Sequence, residues 1–153
     1  MDAYTRSNAI LEVEHGKFST PTYAALLADD GDREQRSQDL LNYLCDEFHI
    51  PHVRVIVADK PRKVSGRKTT HGFIKVAGYG DRNVSKYINV YNYTAKTHKV
   101  VAIKTFTGTL LHEFMHHYDL QFLRLDKTLH TAGFYTRISD LQRKLASGEV
   151  VLD

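Results

Sequence analysis

A chain of 153 residues with 42% hydrophobic and 25% charged side chains is long enough for one domain with a real core. Its single cysteine excludes an internal disulfide and a cysteine-ligated zinc ribbon, and a net charge of +3 permits contact with nucleic acid without arguing for it. No apolar run approaches the roughly 20 residues of a membrane helix, and Met1-Asp2-Ala3-Tyr4-Thr5-Arg6 lacks a signal pattern, so a cytoplasmic protein with no membrane partner is expected.

Residues 1–31 read as an extension packed on the domain. Within it, Ile10, Leu11 and Val13 predict a short helix or strand ended by Gly16. Thr20-Pro21 looks like a cap followed by proline at the first helical position, opening a short helix through Ala28 that Asp30-Gly31 ends. The domain itself is expected over 32–148. Its first helix runs from about Asp32 to Phe48, with Leu40, Leu41, Leu44, Cys45 and Phe48 on one face and Arg33, Glu34, Arg36 and Asp39 on the other. Pro51 prevents continuation. Cys45 falls on the apolar face, which makes it a small core residue rather than a nucleophile.

Three strand-like segments follow, at His52–Val57, Gly72–Val76 and Tyr87–Tyr93. Between the first two, Lys60, Arg62, Lys63, Arg67 and Lys68 make a cationic stretch that reads as an exposed loop, with contact to phosphate or an acidic substrate as its functional reading. Gly78, Gly80 and Asp81 mark a turn. No GxGxxG or Walker pattern supports nucleotide binding. A helix is predicted from about Thr105 to Arg124 and another from near His130 to Leu145, with Phe134, Ile138, Leu141 and Leu145 as its buried stripe. Gly148 is a plausible stop, and residues 149–153 form a tail.

The helix over 105–124 carries His112-Glu113-Phe114-Met115-His116, a His-Glu-x-x-His pattern. His112 and His116 stand one turn apart, about 6 Å along the axis, so two imidazoles on one face can share one Zn²⁺. Glu113 can take a proton from a water that zinc has acidified towards a pKa of about 7. Leu111, Phe114, Met115, Tyr118 and Phe122 form an apolar arc beside the two histidines.

A catalytic zinc takes three protein ligands. His117 points about 100° away from His116 and reads as a surface or supporting residue. Asp119 lies on the motif face, either supporting a ligand through its second nitrogen or merely capping the site on its polar side. The histidine expected six residues after His116 in a metzincin is Phe122, and the only downstream glutamate is Glu149 in the tail. That leaves His130 as the third ligand. Tyr135 or Arg137 is a candidate for stabilising an oxyanion, and Tyr87–Tyr93 a candidate sheet edge for an extended substrate.

His112-Glu113-Phe114-Met115-His116 followed by His130-Thr131-Ala132-Gly133-Phe134 resembles the SprT-like zinc metalloproteases, which include the Spartan-type proteases acting on DNA–protein crosslinks. That family carries its third histidine at the start of the next helix, in a pattern like His-Gly-x-x-Phe; here the glycine is displaced to Gly133. The resemblance covers about residues 35–145. It implies an α+β, minimal zincin-like domain: an N-terminal helix, a small three-stranded, mainly antiparallel sheet, the His-Glu-x-x-His helix and a C-terminal helix. It also implies a zinc-dependent endopeptidase with Zn²⁺ on His112, His116 and His130, Glu113 as general base, and a protein or peptide as substrate. The rival readings are a non-catalytic, zinc-stabilised binding module, with nucleic acid as a weakly supported partner, and a non-peptidase zinc hydrolase.

Overall fold

The computed structural model describes residues 2–14, 18, 21–78 and 83–147. It is a mixed α+β structure. In chain order it contains α1 (Ala3–Ala9), α2 (Pro21–Ala28), α3 (Arg33–Phe48), β1 (Arg54–Pro61), β2 (Lys63–Ser65), β3 (Lys68–Thr70), β4 (Gly72–Ala77), β5 (Val84–Tyr93), α4 (Ile103–Gln121) and α5 (Ala132–Ala146). The expected stops at Gly16 and Gly148, the turn residues Gly80 and Asp81, and the tail lie outside the described residues.

Local chemistry accounts for the helix ends. The Asp32 side chain accepts from the backbone N–H groups of Glu34 and Gln35, satisfying two donors that the first turn of α3 leaves free. At the other end His49 adopts a left-handed conformation with φ 56°, and Pro51 follows. Cys45 is buried in the core as expected, and burial pushes its thiol up to about 12. Near the N-terminus the helix lies earlier than the sequence predicts. Asp2 caps α1 by accepting from Thr5 N, whereas the backbone of Val13 is held by Asp140 and Lys144 of α5 instead of a helix or ladder.

The sheet departs from the mainly antiparallel expectation. Its order is β1-β5-β4, with β1 parallel to β5 and β4 antiparallel to it. The segment containing Tyr87–Tyr93 is therefore the central strand, and both of its edges are paired. A parallel pair needs a long crossover, and the segment between β1 and β5 supplies it. The cationic stretch is not a plain loop. It closes a hairpin in which Ser65 pairs with Lys68 across Gly66-Arg67, with Gly66 at φ 60°. A Gly-x pair at that place is the signature of a tight hairpin turn.

The two outer strands differ. Gln38 and Glu34 of α3 accept the N–H groups of Val55 and Val57, and Gln38 Nε2 donates to Val53 O, so side chains cover the outer edge of β1. β4 has no strand on its outer side among the described residues. Ile88 and Val90 of β5 face the helices and join Leu40, Leu44, Leu110 and Phe114 in the core. Val13, Phe18 and Leu26 belong to the same core, so the described part of the N-terminal segment packs into the domain. Phe48 lies 5.0 Å from Tyr118 and 6.3 Å from Phe114, ring centre to ring centre, and clamps α3 to α4. Truncating such a ring to alanine costs about 3–5 kcal/mol. No helix among the described residues is long and apolar enough to cross a membrane.

Candidate metal centre

The buried arc of α4 fixes where its histidines point. Leu111, Phe114, Met115 and Tyr118 are fully packed, which holds the helix against the core. His112 and His116 then emerge on the flank that faces β4 and the start of α5. His130 arrives from the loop before α5, whose N-cap is the next residue, Thr131. His112 Nε2 lies 3.2 Å from His130 Nε2, and His116 Nε2 lies 3.0 Å from it. Among the described residues these three form the one cluster of histidine, cysteine and carboxylate groups that could hold a metal ion. His130 sits at the exposed rim with its ring nitrogen turned into the cluster. Phe134 floors the site, stacked at 4.6 Å on His116 and edge-on at 5.1 Å to His112.

The donors suit a small divalent cation. Zinc–nitrogen bonds of 2.0–2.1 Å in a tetrahedral array put ligand nitrogens about 3.3 Å apart, close to the separations seen here. Burial, followed by the charge of His130, lowers the His112 pKa to about 4, and burial, followed by the charges of His112 and His130, lowers that of His116 to about 3. Both rings are neutral at physiological pH, as metal ligation requires. Burial raises the Glu113 carboxyl to about 7.

Hydrogen bonding selects one tautomer of His116. Thr128 Oγ1 donates to Asp119 Oδ2 at 3.1 Å, so its proton is committed, and it accepts from His116 Nδ1–H at 2.7 Å. The lone pair of His116 is thereby left on Nε2, facing the cluster. Asp119 reaches His116 through Thr128 and not directly. Thr128 is a lone loop threonine with no sequence pattern to single it out.

Two other expectations are corrected. His117 is neither a surface residue nor a hydrogen-bond partner of the three clustered histidines. It is buried, its Nε2–H donates to Pro51 O at 2.7 Å, and its Nδ1 lies 2.7 Å from Ser85 Oγ. Both ring nitrogens are engaged, one with β5 and the other with the connection between α3 and β1. Arg137 does not reach the cleft. It is wholly buried, and its Nη2 donates to both carboxylate oxygens of Asp119 at 3.0 and 3.1 Å. Tyr135 remains at the rim, its ring 5.9 Å from His112 and 6.0 Å from His130.

A cleft of about 750 Å³ opens over the histidines. Its other wall is β3, His71 and the first half of β4, with Thr105, Gly108 and Thr109 of α4 along its base. Gly72 packs closely against β5 and α4. A Cβ there would meet Asn89 O at 2.8 Å, Thr109 Cγ2 at 3.0 Å and Glu113 Cγ at 3.5 Å. The sheet edge on the cleft is thus β4, and the expectation for Tyr87–Tyr93 fails because β5 is interior.

No protein-family model, curated protein or solved structure matches the chain.

Proposed function

We propose that the protein is a zinc-dependent endopeptidase of the kind that SprT-like proteases represent, with His112, His116 and His130 as ligands and Glu113 as general base. The observation that carries this reading is the convergence of three Nε2 atoms beside a buried carboxyl, at one end of a cleft with an open strand edge. Zinc held there would supply the Lewis acidity that acidifies a water and polarises a carbonyl.

The chain's own groups divide the remaining work. Glu113 accepts the proton of the attacking water and delivers it to the leaving amine nitrogen, a role suited to a carboxyl whose pKa burial has raised to about 7. The outer edge of β4 binds an extended peptide by strand addition, because Gly72, Phe73 and Ile74 line the cleft and no strand among the described residues pairs with that side, while the edge of β1 is already taken by Gln38 and Glu34. Gly72 lets β4 pack against Asn89 of β5 and against Thr109 and Glu113 of α4, which keeps the strand edge beside the general base. Tyr135 is the side chain placed to steady an oxyanion at the rim.

The test is hydrolysis of an unfolded protein by zinc-loaded wild type and Glu113→Gln. Cleavage by the wild type, abolished in a variant that still holds one zinc, supports the reading. Zinc binding without cleavage of folded protein, unfolded protein or short peptides would leave a zinc-stabilised binding module in its place. Turnover of small amides alone would favour a non-peptidase hydrolase.

A further inference from the structure

Residues 2–14 line no part of the cleft, yet they close the polar shell behind the histidines. Ser7 is wholly buried, and its hydroxyl lies 2.7 Å from Thr131 Oγ1. Arg137 Nη2 donates to Ser7 Oγ at 3.0 Å, so the Ser7 proton is free to go to Thr131, the residue beside His130. Arg137 Nη1 donates to Ser7 O at 2.5 Å and to Ile10 O at 2.6 Å. Gly133 N donates to Asn8 Oδ1 at 3.0 Å. A Cβ on Gly133 would lie 2.1 Å from Ser7 O and 2.7 Å from Asn8 Cα, so backbone rests directly on backbone there.

These contacts reach two ligands by separate routes. Through Thr131 and Gly133 they hold the loop that presents His130. Through Arg137 they reach Asp119, Thr128 and then His116. A second anchor lies farther from the site, where Val13 N donates to Asp140 Oδ2 at 2.9 Å and Lys144 Nζ donates to Val13 O at 3.0 Å.

We propose that residues 2–14 are a positioning strap for the metal centre: seated, the strap holds His116 and His130 in the geometry a cation needs, and lifted, it leaves the site with weakened affinity. This inference rests on reading the three histidines as a metal site. Ser7 and Asn8 are positioning residues in it, and Gly133 is the seat that only glycine permits.

The experiment measures zinc affinity of the full chain by chelator competition, with the visible spectrum of the cobalt-substituted protein as a second readout. Asn8→Ala removes the acceptor for Gly133 N, and Gly133→Ala displaces the strap while favouring the helix itself. Partners of metal ligands are worth about 10–100-fold in affinity. Asn8→Ala, one contact farther out, is expected to bind zinc about 5-fold more weakly and Gly133→Ala about 10-fold or more, both with an altered cobalt spectrum. Asn8→Asp keeps the acceptor and is expected to restore wild-type affinity. Lys144→Met removes one of the two bonds of the distal anchor and is expected to leave affinity unchanged. The proposal is overturned if Asn8→Ala binds zinc as wild type does, whatever its melting temperature, or if Lys144→Met weakens zinc equally. Should Gly133→Ala fail to fold, Asn8→Ala and its aspartate rescue still decide. Absence of zinc from the three histidines of the wild type would instead overturn the metal-centre reading, and the strap with it.

Discussion

The imidazole of His116 and the hydroxyl of Thr128 stand 2.7 Å apart, and Thr128 in turn donates to Asp119. This chain dictates which His116 nitrogen offers a lone pair. Thr128→Val keeps the side chain's shape and removes the acceptor, so either tautomer becomes accessible. Zinc affinity is expected to fall about 10–100-fold, measured by chelator competition, and Thr128→Ser is expected to recover most of it. Unchanged affinity in the valine variant would show that the tautomer is set elsewhere.

Glu113 gives a prediction about pH. Its carboxyl is raised by burial from 4.5 to about 7 in the folded chain. A raised folded pKa contributes stability that is fully present below pH 4.5 and is lost as pH rises through about 7. Glutamine at this position stays neutral and has no such loss. Metal-free Glu113→Gln is therefore expected to match the wild type near pH 4 and to exceed its stability by about 3 kcal/mol at pH 8. Urea unfolding at the two pH values in the presence of a chelator checks this; a difference that does not grow with pH contradicts it.

The two motif histidines act in the opposite sense. Their folded pKa values of about 4 and about 3 lie below the ordinary 6.5. Stability from keeping them neutral is present above pH 6.5 and is lost as pH falls through 4 and then 3. His112→Gln in metal-free protein should flatten the acid side of the stability profile. A profile as steep as that of the wild type would refute the assignment.

His117 separates structure from chemistry. Replacing it with alanine takes the imidazole partner from the buried Ser85 hydroxyl and from the Pro51 carbonyl of an exposed residue, at an expected cost of about 1–3 kcal/mol. Metal stoichiometry should stay the same as in the wild type, since neither ring nitrogen of His117 is free to serve the cluster. Thermal unfolding and metal analysis on one preparation test both halves of this statement.

The paired charges behind the site predict an asymmetry. Arg137 and Asp119 are both wholly buried. Removing one partner, as in Asp119→Ala, leaves an uncompensated buried charge and is expected to cost about 3–5 kcal/mol. The double variant Asp119→Ala, Arg137→Met should be less destabilised than the sum of the single changes. Additive losses in denaturant unfolding would mean that the pair does not couple.

The features legible in the sequence were those carried by local patterns. The helical period of Leu40, Leu41, Leu44 and Phe48, the Asp32 cap, and the spacing of His112 and His116 each rest on contacts within a few residues. Strand segments were legible too, but not their order, because the parallel pairing of β1 with β5 joins residues more than thirty positions apart. The cationic run hid the hairpin at Gly66, whose Ser-Gly turn signal was present and outweighed by charge. Arg137 resembled a cleft residue only because nothing local reveals that Ser7, Ile10 and Asp119 converge on it from three parts of the chain. Thr128 and Asn8 are single polar residues whose importance exists only in three dimensions.

The most direct test of the central claim is the metal content of purified protein, measured for the wild type and His130→Ala after equilibration with a slight excess of zinc and removal of the free ion. The three-histidine site predicts one tightly held zinc per wild-type chain and its substantial loss from His130→Ala. A wild type that holds no zinc, or a variant that holds it as tightly, would contradict the account.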